Sequence, residues 1–282
     1  MNKWHPETIR DVMISAGRIA LTHFETPETE HKADRSLVTV ADTAIETYLR
    51  QTLMEDGVSF IGEESALAMP QGEIDGALRG TTWVVDPIDG TAPYANRLPT
   101  WGVSLALMEG GRITEGALFL PRTGELFISS GEDVLYQGST RDPQLWAFEE
   151  MIPFRRPGVG YTTTGMVSLP QEMRRSGRFL GGNPFQCNGS AVYSIAKTIT
   201  GSYLGYIARI RLWDLAGAIP ILRRLGFQIV FRDGHSLGDA VTAQDWILTA
   251  GSADLWKCRE LLYIAGNDET TRPLIENYRE GE

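Results

Sequence analysis

The most informative segment of this chain is Trp83-Val84-Val85-Asp86-Pro87-Ile88-Asp89-Gly90-Thr91. It opens with three apolar residues that are typical of a buried β-strand. Pro87 has no amide hydrogen to donate to a sheet, so we expect the strand to stop at Asp86. Gly90 permits a sharp turn, and Thr91 suits the start of a short helix. Two carboxylates therefore follow the carboxyl end of a strand, where open α/β sheets bind ligands.

The carboxylates of Asp86 and Asp89 indicate a site for a hard divalent cation. Because they are three positions apart in the chain, we expect both on one side of the turn, with the Ile88 carbonyl between them. Oxygen ligands of this kind suit Mg²⁺ or Mn²⁺ better than Zn²⁺. The backbone amides of Gly90 and Thr91 would face an anion such as phosphate. The alternative is ordinary turn chemistry, for which Asp-Pro and Asp-Gly-Thr are also typical.

Two other acidic motifs do not match this stretch. An EF-hand loop that began at Asp86 would need acidic residues at its third and twelfth positions, where Ile88 and Arg97 stand. The Asp-x-Asp-Gly-Thr loop of haloacid-dehalogenase-like phosphatases has one residue fewer between its two acids. Neither a calcium loop of that type nor that phosphatase family is therefore indicated.

Four more acidic residues lie at the ends of predicted elements, and each has a purely structural alternative. Glu63 and Glu64 follow a short apolar strand, where glutamates often only solvate a loop. Asp214 stands at the start of a predicted helix, so N-capping would explain it. Asp42 follows Thr39 by three positions, which is the spacing of a capping box.

Composition excludes several classes of protein. The chain has 282 residues, of which 42% are hydrophobic, so it can bury a sizeable core and is not disordered. Its net charge of −10 argues against binding nucleic acid or an acidic membrane. No apolar run approaches about 18 residues, and the N-terminus lacks an apolar secretion core. With Cys187 and Cys258 as its two cysteines, the chain has no disulfide framework, and we expect a cytoplasmic protein.

Hydrophobic periodicity predicts a mixture of helices and strands. Helices are expected over about 6–24, 39–57, 190–200, 214–225 and 253–265. Strands are expected over 58–61, 82–85, 102–109, 113–120, 125–129, 159–163, 203–208, 228–231 and 246–249. This mixture predicts an α/β fold, an α+β layered sandwich in which sheets are covered by helices. Polar sequence over 141–157 divides it into halves 1–140, with most of the acidic residues, and 141–282.

Four motifs in a fixed order carry a resemblance. Glu-Glu-Ser at 63–65, Asp-Pro-Ile-Asp-Gly-Thr at 86–91 and Trp-Asp-Leu-Ala-Gly at 213–217 follow Lys32-x-Asp34-x-Ser36-Leu37-Val38-Thr39-x-Ala41-Asp42. Together they strongly resemble the inositol monophosphatase family of metal-dependent, lithium-sensitive sugar phosphatases. The resemblance extends from about Lys32 to Gly226. It implies alternating helix and sheet layers, as in the inositol monophosphatase and fructose-1,6-bisphosphatase fold, with 1–282 as a single phosphatase unit.

The resemblance also implies the chemistry: hydrolysis of a small phosphate monoester by metal-activated water, with two or three Mg²⁺ ions, or Mn²⁺ as a substitute. The implied metal ligands are Glu63, Asp86, the Ile88 carbonyl, Asp89 and Asp214. The implied catalytic residues are Glu63 and a dyad of Asp42 and Thr91, which orients and deprotonates the water. Substrate contacts are implied for Gly90, Thr91, Asp89, Ser190 and Asp214, with Glu64 and Lys32 in support. The alternative for Ser190 is a helix N-cap.

Inositol monophosphate is the leading substrate because it is the family's commonest one. Two residues depart from the inositol-type pattern: Ile207 replaces an acidic residue and Gln186 replaces an arginine. Histidinol phosphate, fructose 1,6-bisphosphate and 3′(2′),5′-bisphosphate nucleotides are therefore alternative substrates. A non-catalytic regulator that binds metal or phosphate is the alternative from another class. As partners we expect a small phosphorylated metabolite and, by resemblance, a second copy of the chain in a homodimer, but no nucleic acid polymer and no membrane.

Overall fold

A computed structural model describes residues 3–31, 37–138, 150–158, 160–171 and 177–280. Within these ranges no helix combines the length and the apolar character needed to cross a membrane. The helices there are α1 Pro6–Phe24, α2 Val40–Leu53, α3 Glu63–Ala66, α4 Gln71–Arg79, α5 Thr91–Ala95, α6 Ala191–Ile199, α7 Leu212–Ala216, α8 Ile219–Arg224 and α9 Asp268–Asn277.

The strands form two large sheets and two small ones. A seven-stranded sheet has the order β3-β4-β5-β6-β7-β8-β9, and a five-stranded sheet has the order β12-β10-β13-β15-β14. The pairs β1-β2 and β11-β16 form the small sheets. The strands are β1 Thr29–His31, β2 Leu37–Thr39, β3 Val58–Gly62, β4 Thr81–Asp89, β5 Gly102–Glu109, β6 Arg112–Leu120, β7 Glu125–Ser130, β8 Asp133–Gln137, β9 Ile152–Pro153, β10 Val167–Ser168, β11 Gly177–Phe179, β12 Phe185–Gln186, β13 Gly205–Ala208, β14 Gln228–Val230, β15 Leu262–Ala265 and β16 Tyr278–Glu280.

Strand alternation sorts the apolar side chains into layers. On β4, Val85 packs with α1 and α2 on one face of the large sheet, whereas Val84 faces α6, α7 and α8. On β13, Ala208 faces the same three helices, and Ile207 faces α9 on the far side of the second sheet. The order of layers is therefore helix, sheet, helix, sheet, helix. This confirms the predicted fold class.

The two halves share a core. The largest apolar cluster includes Val84 and Phe127 from the first half together with Ile195, Leu215 and Ile264 from the second. Helices of the second half thus cover the sheet of the first half. The boundary predicted at 140/141 lies outside the described residues.

The elements predicted in the first half are present, although α2 ends at Leu53 rather than at Gly57, and α4 and β8 were not predicted. Helix α1 starts with Pro6 in its first turn, and α2 starts after Thr39, as expected. The predicted strands over 102–109, 113–120 and 125–129 are β5, β6 and β7, which pair antiparallel in sequence order. Local pattern suffices in this half because neighbours along the chain are also neighbours in the sheet.

In the second half, the prediction of a helix over 253–265 is wrong. Trp256 has a φ of +67°, which a helix does not tolerate, and Leu262–Ala265 form β15 in the centre of the five-stranded sheet. Tyr263 pairs there with Ile207. The last helix starts only at Asp268, and its N-cap is the side chain of Asn267.

Three further predictions in this half need correction. The strand expected over 246–249 is a single bridge between Trp246 and Cys258. Of the strand expected over 159–163, residue 159 is not described, and 160–163 lie in turn and loop before β10. The helix expected over 214–225 starts earlier, at Leu212, and is split into α7 and α8. Gly217 and Ala218 between them keep right-handed helical dihedrals, but Pro220 in the first turn of α8 has no amide hydrogen to continue the hydrogen-bond ladder.

Candidate metal and phosphate site

Asp86 and Asp89 lie at the end of β4, which does not stop at Asp86 as the sequence predicted. Asp86 pairs with Ser104 of β5 and Asp89 pairs with Gly102, so β4 carries one extra residue in a β-bulge at Pro87–Ile88. In a regular strand, residues three apart point to opposite faces. The bulge instead lets the two carboxylates meet, with an oxygen of each within 4.8 Å of the other.

Glu63 reaches the same end of the sheet from the neighbouring strand. Strands β3 and β4 are parallel, and Gly62 pairs with Val85. The residues that follow this pair are Glu63, the first residue of α3, and Asp86, so the two lie side by side. The negative charge of Glu63 raises the pKa of Asp86 and also that of Asp214. The carboxylates predicted to act together are thus in electrostatic contact.

Glu46, which sequence reasoning missed, holds the start of α3 in place. Its carboxylate is buried and accepts hydrogen bonds from the Glu64 amide at 3.0 Å and from the Ser65 hydroxyl at 2.7 Å. A Cβ on Gly62 would lie 2.4 Å from a Glu46 oxygen, so this approach requires glycine. The available signal was spacing: Glu46 lies one helical turn after Asp42, on the same side of α2.

The Asp42 carboxylate is buried, and its two oxygens contact different residues. Its Oδ2 accepts a hydrogen bond from the Thr39 amide at 2.8 Å, which completes the capping box expected from the sequence. Its Oδ1 accepts a hydrogen bond from the Thr91 hydroxyl at 3.4 Å. That hydroxyl also lies 3.3 Å from the Ile88 carbonyl oxygen. Capping and the predicted dyad therefore use different oxygens of one carboxylate and do not compete.

Gly90 turns the chain from β4 into α5. Its φ is +93°, a conformation that favours glycine. A Cβ at this position would lie 2.9 Å from the Cβ of Ser190 and 3.1 Å from the carbonyl oxygen of Thr100. The turn therefore needs glycine for both reasons, and it makes Thr91 the first residue of α5.

Asp214 is brought from the second half by α7, which packs on the large sheet. The Ser104 hydroxyl donates a hydrogen bond at 3.0 Å to the carbonyl of the residue before Asp214. A Cβ on Gly116 would lie 2.2 Å from the Gly217 carbonyl oxygen, so the end of α7 touches backbone of β6. Asp214 also accepts a hydrogen bond from the Arg211 amide at 2.8 Å. A carboxylate oxygen of Asp214 joins those of the two β4 aspartates within 4.8 Å.

Burial and mutual repulsion make the charged forms of these aspartates unfavourable. The pKa of Asp86 is well above its usual range, chiefly because the group is buried and also because of the charges of Glu63, Asp89 and Asp214. Burial also raises the pKa of Asp89 to about 6, although hydrogen bonds from Ser190 and α6 oppose the shift. Burial together with the charges of Asp89 and Glu63 raises the pKa of Asp214 to about 8. Without compensating positive charge the cluster would take up protons near neutral pH.

The surroundings of the Asp86 side chain indicate whether a cation fits this cluster. Both of its oxygens are buried, and neither finds a hydrogen-bond donor among the described residues when the neighbouring carboxylates are ionised. Buried charges in proteins are normally paired or coordinate a metal. The side chains that converge here offer only oxygen, which is the preference of Mg²⁺ and Mn²⁺. The cluster of Asp86, Asp89 and Asp214 therefore suits a divalent cation.

Asp89 also links the acidic cluster to α6. Its Oδ2 accepts hydrogen bonds from the Ser190 hydroxyl and from the Val192 amide, the latter at 2.6 Å. The Ser190 hydroxyl accepts a hydrogen bond from the Tyr193 amide at 3.0 Å, so Ser190 is the N-cap of α6. The capping alternative considered for Ser190 is thus present in the structure.

A cavity of about 180 Å³ lies directly beside this cluster. Ile207 is not among its lining residues, because its side chain points into the apolar cluster on the other face of the sheet. A larger groove of about 520 Å³ on α2 contains none of the acidic cluster. The smaller cavity is lined by Asp89, Leu169, Pro170, Gln171, Asn188, Gly189, Ala191, Ser194, Tyr206, Ala208, Arg209, Ile210 and Asp214.

The structure does not establish the supporting roles predicted for Lys32 and Glu64. Lys32 lies outside the described residues. Glu64 contacts Glu46 through its backbone amide. The metal, catalytic and substrate roles assigned to the site residues stay predictions.

The fold and the site define a class: a layered α/β protein with a carboxylate cluster suited to a divalent metal, beside a small cavity. The sequence matches the model of the inositol monophosphatase family over residues 7–263. The chain belongs to this family. Family membership and the acidic cluster together support a metal-dependent phosphatase.

Individual relatives are distant. The chain is 24% identical over 277 residues to "Nus factor SuhB" of Escherichia coli (strain K12), covering 94% of this chain and 92% of that protein. It is 26% identical over 215 residues to "Inositol-1-monophosphatase" of Caulobacter vibrioides, covering 72% and 78%. Among solved structures, an "IMPase/NADP phosphatase complexed with Mg2+ and phosphate" aligns with a TM-score of 0.70 at 16% identity, covering 95% of this chain and 92% of that one.

Proposed function

We propose that this protein is a Mg²⁺-dependent phosphatase that hydrolyses a small phosphate monoester. The observation that carries the proposal is the convergence of Asp86, Asp89 and Asp214 within 4.8 Å, beside a cavity and beside the Asp42–Thr91 hydrogen bond. A phosphate dianion would be repelled by these carboxylates alone. Divalent ions bound there would reverse the local field, polarise the phosphate and lower the pKa of a water molecule.

The residues of the chain have distinct roles in this proposal. Asp86, Asp89, Asp214, Glu63 and the Ile88 carbonyl would hold the ions, two or three in number. The Thr91 hydroxyl, held by Asp42, would orient the attacking water and pass its proton to the carboxylate. The backbone amides of Gly90 and Thr91 would bind phosphate oxygens. Phosphoryl transfer needs such positioning and charge neutralisation more than covalent chemistry, so we expect no phospho-enzyme.

Inositol monophosphate is the leading substrate of the proposal, because the family and the relative in Caulobacter vibrioides carry that name. Histidinol phosphate, fructose 1,6-bisphosphate and 3′(2′),5′-bisphosphate nucleotides are the alternatives. The deciding experiment measures phosphate release from these four substrates with Mg²⁺, with Mn²⁺ and with a chelator, and repeats it with lithium as a diagnostic inhibitor. Release that requires the divalent ion supports the proposal.

A non-catalytic regulator is the alternative function. The reason to consider a regulator is that one relative is named a Nus factor. The described residues nevertheless retain the carboxylates and the Asp42–Thr91 contact that hydrolysis would use, which favours the enzyme. Absence of turnover on the whole panel would favour the regulator. Single-turnover hydrolysis in ¹⁸O-water gives a second test: label should enter the released phosphate, whereas a trapped aspartyl-phosphate would contradict direct attack by water.

The proposal includes a homodimer in the cytoplasm. The edge strand β12 presents Phe185 with 51% of its surface exposed, and Leu180 nearby is 62% exposed. Apolar side chains at a sheet edge are typical of an interface. With two cysteines, which are too few for a disulfide framework, a reducing compartment is the expected location. Sedimentation analysis of the purified protein would show a mass of about twice the 31.2 kDa of one chain.

A further inference from the structure

Among the described residues that line the cavity beside the acidic cluster, Arg209 carries the positive charge. It directly follows β13, and its side chain is exposed. Its Nε donates a hydrogen bond to the Cys258 carbonyl at 3.3 Å. Among the described residues no carboxylate forms an ion pair with it. A guanidinium that lines a cavity and forms no ion pair with the described residues is available to an anionic group of a ligand.

The backbone around Arg209 is held firmly. The Cys258 amide donates a hydrogen bond to the Ile210 carbonyl at 2.8 Å, and the Leu212 amide donates to the Trp256 carbonyl, also at 2.8 Å. The segment 256–258 therefore pairs with 210–212 and supplies the carbonyl that anchors the Arg209 Nε. This anchor leaves the two terminal nitrogens of the guanidinium as a planar fork, which suits carboxylate or phosphate oxygens.

The neighbouring Arg211 shows the opposite arrangement. Its guanidinium donates hydrogen bonds to the Leu255 carbonyl at 2.6 Å and to the Ala253 carbonyl at 2.9 Å, so its terminal nitrogens are already used in the fold. The two arginines are separated by a single residue, yet only Arg209 lines the cavity. The contrast assigns Arg211 to structure and Arg209 to the ligand.

A second donor lies on the wall of the same cavity. Gly189 has a φ of +80°, and a Cβ there would lie 2.1 Å from Nε2 of Gln171. The glycine thus makes room for the Gln171 amide against the loop before α6. Asp89 and Asp214 are the acidic residues among the described lining of this cavity, and both belong to the cluster proposed to hold the cations.

We propose that Arg209, with the Gln171 amide, forms a subsite for a second anionic group of the substrate. The preferred substrates are then phosphate monoesters that carry a further carboxylate or phosphate, rather than neutral polyol phosphates. This inference rests on the proposed function, because the acidic cluster and its cations must hold the first phosphate. A neutral substrate would leave the guanidinium fork to water, whereas a second anion would gain charge-assisted hydrogen bonds.

Phosphonates test the subsite without turnover, because their carbon–phosphorus bond is not a phosphate ester. We would titrate the Mg²⁺-loaded protein by calorimetry with propylphosphonate and butylphosphonate, and with their carboxylate counterparts 3-phosphonopropionate and 4-phosphonobutyrate. Propane-1,3-bisphosphonate supplies a second phosphonate in place of the carboxylate. The wild type is compared with Arg209→Met, with Arg209→Lys, and with Arg79→Met. Arg79 is an exposed arginine on α4, next to the opposite end of β4 from the acidic cluster.

We expect a doubly anionic ligand to bind the wild type about fivefold more tightly than its neutral counterpart, as for a partly exposed ion pair. Arg209→Met should abolish this preference, Arg209→Lys should keep part of it, and Arg79→Met should keep all of it. Whichever of the carboxylate and bisphosphonate ligands binds more tightly then identifies the preferred second anionic group of the substrate. Equal binding of neutral and anionic ligands by the wild type, or a preference that survives in Arg209→Met, overturns the subsite alone. If no phosphonate binds and no ester in the panel is hydrolysed, the proposed function itself fails.

Discussion

At the scale of single residues, Asp86 has the least favourable environment in the site. Its carboxylate is 1% exposed, its oxygens lack hydrogen-bond donors among the described residues, and three other carboxylates raise its pKa. A buried charge of this kind costs stability unless a cation compensates it. The residue is thus poorly explained by folding alone and well explained by a bound ion.

Asp86→Asn should therefore separate activity from stability. We expect kcat/KM to fall by at least about 1,000-fold, because a divalent ion contributes several kcal/mol to stabilising the transition state. In the presence of a chelator, however, the variant should unfold at a higher temperature than the wild type near neutral pH. Asp56→Asn, which changes an exposed aspartate, serves as the control and should alter neither quantity. A kcat close to wild type in Asp86→Asn would show that the ligand assignment is wrong.

Substitution of Thr91 tests the proposed dyad of Asp42 and Thr91. Thr91→Ala removes the hydroxyl that lies 3.4 Å from Asp42, and we expect kcat to fall by about 100-fold or more, which is typical of lost general acid–base catalysis. Thr91→Ser keeps the hydroxyl and should keep most of the activity. Thermal unfolding with and without Mg²⁺ should show the same ion-dependent stabilisation in both variants. Full activity in Thr91→Ala would exclude the hydroxyl from the reaction.

At the scale of elements, the site depends on how α7 packs on β5 and β6. The contact between Gly116 and Gly217 and the hydrogen bond from Ser104 place Asp214 opposite the end of β4. No side chain could be inserted between these two backbones. The position of Asp214, in the second half, thus depends on a glycine in the first half.

Gly116→Ala should displace α7. Its Cβ would lie 2.2 Å from the Gly217 carbonyl oxygen, and overpacking of this kind costs about 1–3 kcal/mol. For a chain of this size we expect Tm to fall by about 5 °C. The Mg²⁺ concentration for half-maximal activity should also rise.

The matched control for this variant is Gly76→Ala. It adds the same methyl group in α4, where a Cβ meets nothing within 4 Å, and should be neutral or slightly stabilising. If Gly116→Ala lowers Tm and leaves the Mg²⁺ requirement unchanged, the packing of α7 does not control the site.

At the scale of the whole molecule, the acidic cluster lies between the two halves, so its charge affects global stability. The folded state raises the pKa of Asp89 to about 6 and that of Asp214 to about 8, above the ordinary aspartate value of 3.8. Between pH 3.8 and these raised pKa values, the folded chain holds protons that the unfolded chain has released. The resulting stabilisation is complete below pH 3.8 and is lost as pH rises through 6 and 8.

Thermal unfolding as a function of pH tests this linkage. In a chelator, Tm should fall between about pH 5 and pH 8. Saturating Mg²⁺ should raise Tm by about 5 °C at pH 8, because a ligand at 100 times its Kd contributes about 2.7 kcal/mol. The increase should be smaller at pH 5, where protons compete with the ion. A Tm that stays constant or rises with pH in the chelator would contradict the cluster's electrostatics.

The sequence by itself determined the local features of this protein. The turn at Gly90, the capping box at 39–42 and the strand periods of the first half all depend on residues close together in the chain. The strand end expected at Pro87 was wrong, because pairing with β5 extends β4 to Asp89. The order of the four motifs was enough to identify the family, since each motif retains its residues. Layer architecture followed as well, because amphipathic helices and strands must cover each other's apolar faces.

Only the tertiary structure decided how these pieces meet. The bulge that aligns Asp86 with Asp89 depends on the register with β5, and the place of Asp214 depends on a glycine contact across the halves. The buried Glu46 and the strand Leu262–Ala265, where a helix was expected, likewise have partners far away in the chain. Short apolar runs have the same local pattern in a helix and in a strand, so only the contact with a distant partner selects one of the two. Spacing along the chain identifies which acids are present, but packing between distant segments sets the distances between them.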